Sequence, residues 1–381
     1  MKRERIILLF FILCPLLSGC WDSVEPERMA YLHGLGVDYK DGKYVVYVQL
    51  LNIGSLAKSE SGGTISKEKI EIGHSTGKDI DEAMFKLYNS TQIRLFWGHL
   101  KFLLLSKSAL ENQGLDKVLD LMDRYRETRY RIYMYSTEED IKQVLSSYQP
   151  VQITSALNKL AEPTNSFKQN SFILPVKMRE FLIALQQPGN SGVLPKVSLT
   201  KGDTWGEDHK KLSAIQLDGM SLVTKQNLIG SLTGNEVAGY RWMTEKSKRN
   251  GLSIEKDGKA IAKVVMEKNK VKIKPSMNGE NVHFTINVKV SGIINELDQS
   301  ADEVLIRDSA AAKIKEEILH TYVKAITMNA DIYQLNEILH KKNNKLWKKL
   351  SKNGILPLNE DSISVNVSVM IKDAGKLRTV K

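Results

Sequence analysis

The chain has 381 residues, 42% hydrophobic and 26% charged, with a formal net charge of +11. That apolar content excludes a disordered chain, and the length exceeds what one hydrophobic core normally organises, so two or three domains are expected. With two cysteines, Cys14 and Cys20, a disulfide scaffold and a cysteine metal centre are excluded as the source of stability.

Lys2, Arg3 and Arg5 precede an apolar run from Ile6 to Leu17. A positive start followed by about a dozen apolar residues is the pattern of an export signal. The run is too short to span a bilayer, which takes roughly 20 residues. It ends in Leu17-Ser18-Gly19-Cys20. Small residues at 18 and 19 let the backbone enter a peptidase groove, and the Cys20 thiol is the group there able to take a diacylglyceryl thioether. Cleavage between Gly19 and Cys20 is expected, with Cys20 lipid-modified and residues 1–19 removed. Two acyl chains hold a protein stably where one holds it marginally. No later segment approaches 18 uninterrupted apolar residues, so the expectation is an anchored chain and not a spanning one. The basic balance suits anionic lipid head groups. Export argues against a nucleic-acid partner, and no recognition motif accompanies the charge.

Residues 21–26 read as a tether. Lys43–Asn52 has apolar residues on both faces, as in a strand covered on two sides. Gly54–Gly63 reads as a loop and Thr64–Ile72 as a returning strand. Lys78–Gln92 and Ser108–Arg126 have helical spacing, the second with Leu115, Val118, Leu119 and Met122 along one face. His99–Leu105 and Tyr130–Tyr135 read as strands, and Glu138–Leu145 and Val151–Ala161 as helices. Strands alternating with helices predict an α/β domain over residues 20–165. Glu162–Pro175, with two prolines, reads as a linker. A short helix at Lys177–Gln186, strands and turns from Val193 to Leu232, and a helix near Asn235–Glu245 read as a smaller middle domain, 170–250.

The last third carries the clearest periodicity. Phe284, Ile286, Val288 and Val290 alternate with polar residues, as do Val271 and Ile273, and Ile363, Val365, Val367, Val369 and Ile371. Such alternation marks antiparallel strands covered on one side. Between them, one helix starts at Ser300 with Glu303 as a capping box and carries Ala311, Ile314, Ile318, Tyr322 and Ile326. A second runs from about Asp331 to Lys352 and stops at Gly354. Residues 255–381 are therefore expected to form an α+β domain, an antiparallel sheet packed against two long helices. Mixed α/β and α+β architecture in three domains is the overall expectation.

Little in the chain asks for chemistry. The histidines at 33, 74, 99, 209, 283, 320 and 340 lie without metal-ligand spacing. Gly34-Leu35-Gly36 lacks the third glycine and following helix of a dinucleotide site. There is no Gly-x-Ser-x-Gly elbow. The acidic pairs Glu138/Glu139 and Asp302/Glu303 sit at helix starts, where the macrodipole accounts for them. Tyr240, Trp242 and Trp347 read as core or rim. Lys341, Lys342, Lys345, Lys348, Lys349 and Lys352 form the densest basic cluster, either a solvated helix face or a contact patch. No catalytic residue, cofactor or metal is assigned.

Gly19-Cys20-Trp21-Asp22, followed by Gly34-Leu35-Gly36-Val37-Asp38, resembles the start of the Ger(x)C family. The likeness continues through Gly98-His99-Leu100-Lys101, Met122-Asp123-Arg124, Leu217-Asp218-Gly219-Met220-Ser221-Leu222 and the helix reaching Trp347-Lys348-Lys349. The family often has glycines just after Asp331-Ile332-Tyr333, where this chain has Gln334 and Asn336. The resemblance implies a three-domain, non-enzymatic lipoprotein C subunit of a GerA-type nutrient germinant receptor. It implies a place on the outer face of the spore inner membrane beside membrane-embedded A and B subunits, with Cys20 in the lipid. A lipid-anchored solute-binding protein serving a transporter fits export and lipidation equally, though such proteins use two similar doubly wound lobes.

Overall fold

The computed structural model describes residues 29–51, 70–125, 127–147, 157–189, 191–201, 204–207, 210–297 and 302–372. Gly19, Cys20, the tether, the loop 54–63 and most of the helix expected at 151–161 lie outside them.

Strands β1 (Met29–Lys40) and β2 (Lys43–Leu51) form a hairpin. It turns on Asp41 and Gly42, both at positive φ, as a two-residue loop matched to strand twist requires. Strand β3 (Glu71–Gly77) adds to β2, and Asp79 caps helix α1 (Ile80–Ser90) by accepting from the Glu82 amide at 2.7 Å. Strands β4 (Arg94–Phe96) and β5 (Phe102–Ser106) lie parallel to β1. Helices α2 (Lys107–Glu111) and α3 (Gly114–Arg124) cross over to β6 (Tyr133–Thr137), parallel to β5. Helices α4 (Ile141–Leu145), α5 (Thr164–Gln169) and α6 (Met178–Gln186) precede β7 (Gly192–Leu199), which pairs parallel with β6. After the small ribbon β8 (Trp205–Glu207) and β9 (Lys210–Leu212), strands β10 (Ile215–Val223) and β11 (Leu228–Thr233) extend the edge antiparallel.

The result is one nine-stranded sheet, ordered β11-β10-β7-β6-β5-β1-β2-β3 with β4 beside β1. Its two faces carry separate cores. Val46, Leu103 and Leu105 meet α1, α3 and α6 on one face, and Tyr47, Phe102, Leu104 and Tyr135 meet α4, Leu160 and Ala161 on the other. Strands β7, β10 and β11, within the span 170–250 expected as a middle domain, hydrogen-bond into the same sheet as β1 to β6. Hydrogen bonding of β7 to β6 is a non-local choice that local periodicity does not encode. The helix expected near 235–245 is two 3₁₀ turns, Gly234–Glu236 and Ala238–Trp242.

The last third forms a four-stranded sheet, β12 (Asn250–Lys256), β13 (Lys259–Asn278), β14 (Asn281–Leu297) and β15 (Ile363–Lys372), in that order. Its first three strands are antiparallel and β15 runs parallel to β14. A helical crossover returns the chain to the end from which β14 began, so the last strand takes the parallel direction. Helix α7 (Glu303–Thr327) starts with Asp302 at its N-cap, two residues beyond Ser300. It buries Ile314, Ile318 and Tyr322, with Ala310 and Ala325 beside them, while Ala311 and Ile326 are half-buried. The second expected helix is two short ones, α8 (Leu335–Lys342) and α9 (Asn344–Leu350). Asn343 breaks it: its backbone leaves the helical region (φ −149°, ψ 79°), and its side chain caps α9 by accepting from the Leu346 amide at 3.0 Å. Among the described residues no helix is long and apolar enough to cross a membrane.

Candidate functional site

A single apolar core joins the two sheets. Met220, Leu222 and Leu232 of β10 and β11 pack in one cluster with Trp242, Phe284 and Ile318. Polar clamps fix this junction. Arg241, on the second 3₁₀ turn, places Nη2 2.9 and 3.0 Å from the two carboxylate oxygens of Glu317 on α7. The Trp242 indole donates to the same carboxylate at 2.6 Å, and the guanidinium lies 4.7 Å from the Trp242 ring centroid. The 3₁₀ turn sits flush on α7 because Gly239 has no Cβ, which would strike the Glu317 carbonyl. The Gly239 amide donates to Thr321 Oγ1 at 2.9 Å.

Asn336, at the start of α8, is the second clamp. Its Nδ2 donates to the carbonyls of Pro188 and Gly354, and its Oδ1 accepts from the Trp347 indole at 2.8 Å. One side chain thus ties the loop after α6 to the ends of α8 and α9. Just before it, Gln334 takes a left-handed backbone with φ +56°. A residue with a Cβ rarely adopts that backbone, and here a glutamine does. Asp331 is buried, and its Oδ2 accepts from the Asn336 amide at 2.7 Å. Among the described residues its Oδ1 has no partner. Burial pushes its carboxyl up to about 6, against the smaller pull of the amides of the following turn.

Between α6 and α8 opens a groove of about 720 Å³. Phe181, Ala184, Tyr240, Val271, Ile273 and Ile338 line it, and Glu180, Lys246, Glu337, Lys341 and Lys342 rim it. The rim charges engage neighbours: Lys246 reaches Glu180 at 3.1 Å, Lys341 pairs with Glu337, and Lys342 donates to the Ile273 carbonyl. Apolar walls with a self-paired rim can seat a chain or a helix; they provide no nucleophile and base aimed at one point.

Of the lysine cluster, Lys341, Lys342, Lys345, Lys348, Lys349 and Lys352 are all exposed, while Trp347 between them is buried. Trp242 is also buried and Tyr240 packs against the core, as expected of core and rim. His33 is the bulged residue between Leu32 and Gly34 of β1. It is buried with neither ring nitrogen partnered among the described residues, and burial lowers its pKa to about 4. Neither Asn336 nor Arg241 was singled out by sequence pattern. The replacement of expected glycines at 334 and 336 was the available signal for the first.

Residues 22–199 match the family described as spore germination protein N-terminal domain, and residues 218–375 that described as spore germination B3/GerAC like, C-terminal. The chain is similar to spore germination protein KC of Bacillus subtilis (strain 168), 23% identical across 92% of this chain and 90% of that one. It also resembles spore germination proteins B3 and A3 of the same organism, 26% and 24% identical over 79% and 76% of this chain and 76% and 74% of theirs. The fold is that of the crystal structure of the GerBC protein, with a TM-score of 0.55 over 89% of this chain and 97% of that chain at 19% identity. Two family segments in order, continued by the relatives across nearly the whole length, place this chain in the Ger(x)C family of spore germination proteins.

Proposed function

We propose that the chain is the lipid-anchored, non-catalytic C subunit of a nutrient germinant receptor. It would be held by Cys20 on the outer face of the spore inner membrane and assembled with membrane-embedded A and B subunits. One observation carries the reading: a sequence opening on Leu17-Ser18-Gly19-Cys20 continues as a family member along both of its segments. The junction supports it, since its buried clamps tie the two sheets together and its apolar groove suits a partner segment better than a reacting substrate. Solute capture for a transporter is less well supported, because the nine-stranded and four-stranded sheets are not two similar lobes.

The test is affinity purification of the protein from detergent-solubilised dormant-spore membranes, with co-purifying chains identified by mass spectrometry. Two multi-spanning partners are expected. A permease and an ATPase in their place would overturn the receptor reading. In parallel, Cys20→Ala is expected to move the protein from the membrane to the soluble fraction with its fold intact and to weaken the germination response; full membrane retention would remove the anchor.

A further inference from the structure

The sheet of the last third has one face under α7 and one face open. On the open face Lys268, Lys270, Lys272 and Lys274 stand at alternate positions of β13, all exposed. Opposite them on β14 are Ser291, Lys289, Asn287 and Thr285. Strand β15 continues the rows, with Asn366 beside Asn287 and Ser368 beside Lys289. Each of four successive rows therefore carries a lysine and none carries an acid. Alternate residues stand about 7 Å apart along a strand and strands about 4.8 Å apart, so the five ammonium groups crowd one face of the sheet. Among the described residues none of the five takes part in an ion pair. The acids nearby lie at the margins: Glu267 and Glu296 pair with Lys372 and Lys263, Glu280 sits in the turn after β13, and the Glu245 carboxylate sits on the Val271 amide at the outer edge of β13.

Lys270 directly faces Lys289 across the strands. Like charges so placed destabilise a sheet. The fold tolerates that repulsion on a face where most of the remaining side chains are small and polar, with the exposed Met370 beside Ser291 at its end, and without a buried aromatic or arginine anchor. Protein interfaces are depleted in lysine and centred on buried aromatic or arginine anchors, which this face lacks. Strand addition is also blocked at the outer edge of β13. The Glu245 carboxylate accepts the Val271 amide at 3.3 Å, and Lys342 occupies the Ile273 carbonyl. A one-sided array of point charges on flexible stems suits a fluid layer of anionic phosphates, to which each stem can adjust.

We propose that this sheet face is a membrane-docking surface that rests on anionic phospholipid head groups. It is distinct from α9, which carries Lys345, Lys348 and Lys349, although Lys342 of α8 reaches its edge at the Ile273 carbonyl, and it acts independently of the Cys20 lipid. The proposal rests on the membrane location given above, and its test distinguishes the two. Fractionation of Cys20→Ala reads the anchor, whereas vesicle binding by an unacylated chain reads the face.

The experiment is co-sedimentation of the chain from residue 20, bearing Cys20→Ser, with phosphatidylcholine vesicles with and without phosphatidylglycerol. Binding is expected only with the anionic lipid, and it should be lost in high salt. Each near-surface lysine contributes about 1 kcal/mol, so Lys270→Gln/Lys289→Gln should weaken partitioning by roughly 30-fold, and Lys270→Glu/Lys289→Glu by more. Lys345→Glu/Lys348→Glu, on α9, should leave it nearly unchanged. Circular dichroism and melting confirm that each variant is folded, and the Gln pair should melt no lower than the parent because it removes a repulsion. The proposal is overturned by any of three results: no preference for the anionic vesicles, loss of binding in the α9 variant but not the β13/β14 one, or binding to an acidic polypeptide but not to vesicles.

Discussion

Gly189 and Asn336 occupy one another's space: the site a Cβ would take on Gly189 is filled by Nδ2 of Asn336, and Gly189 itself has φ +66°. The loop after α6 can approach α8 this closely because position 189 has no side chain and tolerates the left-handed backbone. Gly189→Ala is expected to lower stability by more than about 1 kcal/mol from backbone strain alone. Asn336→Ala leaves the Trp347 indole and two carbonyls unpaired and should cost about 2–4 kcal/mol. Denaturant unfolding of the Cys20→Ser chain reads both; unchanged midpoints would remove Asn336 as a junction clamp.

Gln334 predicts the opposite sign. Its left-handed backbone is unfavourable for a residue with a Cβ, so Gln334→Gly should raise stability by about 0.5–1 kcal/mol. A lower melting temperature in the glycine variant would show that the glutamine side chain, which borders the groove, contributes more than its backbone costs.

Arg241 and Glu317 are both largely withdrawn from solvent. Glu317→Leu strands a buried guanidinium and the Trp242 indole, and should cost about 3–5 kcal/mol. Arg241→Leu combined with Glu317→Leu removes both charges and should cost less than Glu317→Leu alone. Equal, additive losses in the double-mutant cycle would mean that the two side chains do not act as a pair.

Two buried groups should oppose each other in the pH dependence of stability. The folded-state pKa of Asp331, about 6, lies above its ordinary 3.8. The native state therefore holds the extra proton, and stability falls as pH rises from about 4 to 6. His33 is lowered from 6.5 to about 4, so the unfolded state binds the extra proton and stability falls as pH drops through that window. Measured against the parent at each pH, Asp331→Asn should lose ground on acidification from about pH 6 to 4 and His33→Gln should gain it. Melting temperatures of the three proteins at a series of pH values settle the signs.

Much of the fold is legible in local pattern. The alternation in β14 and β15, the helical spacing of α3 and α7 and the two-sided apolar character of β2 each report the immediate surroundings of their residues. What a strand pairs with is a different kind of information. Nothing in residues 192–199 states that they join β6, and nothing in 363–371 states that β15 runs parallel to β14, because a period of two is the same in either direction. The α8–α9 break was missed because Leu335, Leu339, Leu346 and Leu350 keep helical spacing across it, while a single asparagine both ends one helix and caps the next. At the junction, polar residues such as Asn336 and Arg241 look like surface until the other sheet is in place.

The pairing of β7 with β10, from Leu199 opposite Ile215 to Gly192 opposite Val223, crosses the interval between the two family segments. The sequence boundary at 199–218 is thus a seam inside one sheet, with one partner strand on either side. A chimera that exchanges one segment between relatives inherits a mismatched ladder at this seam, and a fragment ending at residue 199 presents β7 as an unpaired edge open to aggregation. Across this seam each family segment completes the other's hydrogen bonding.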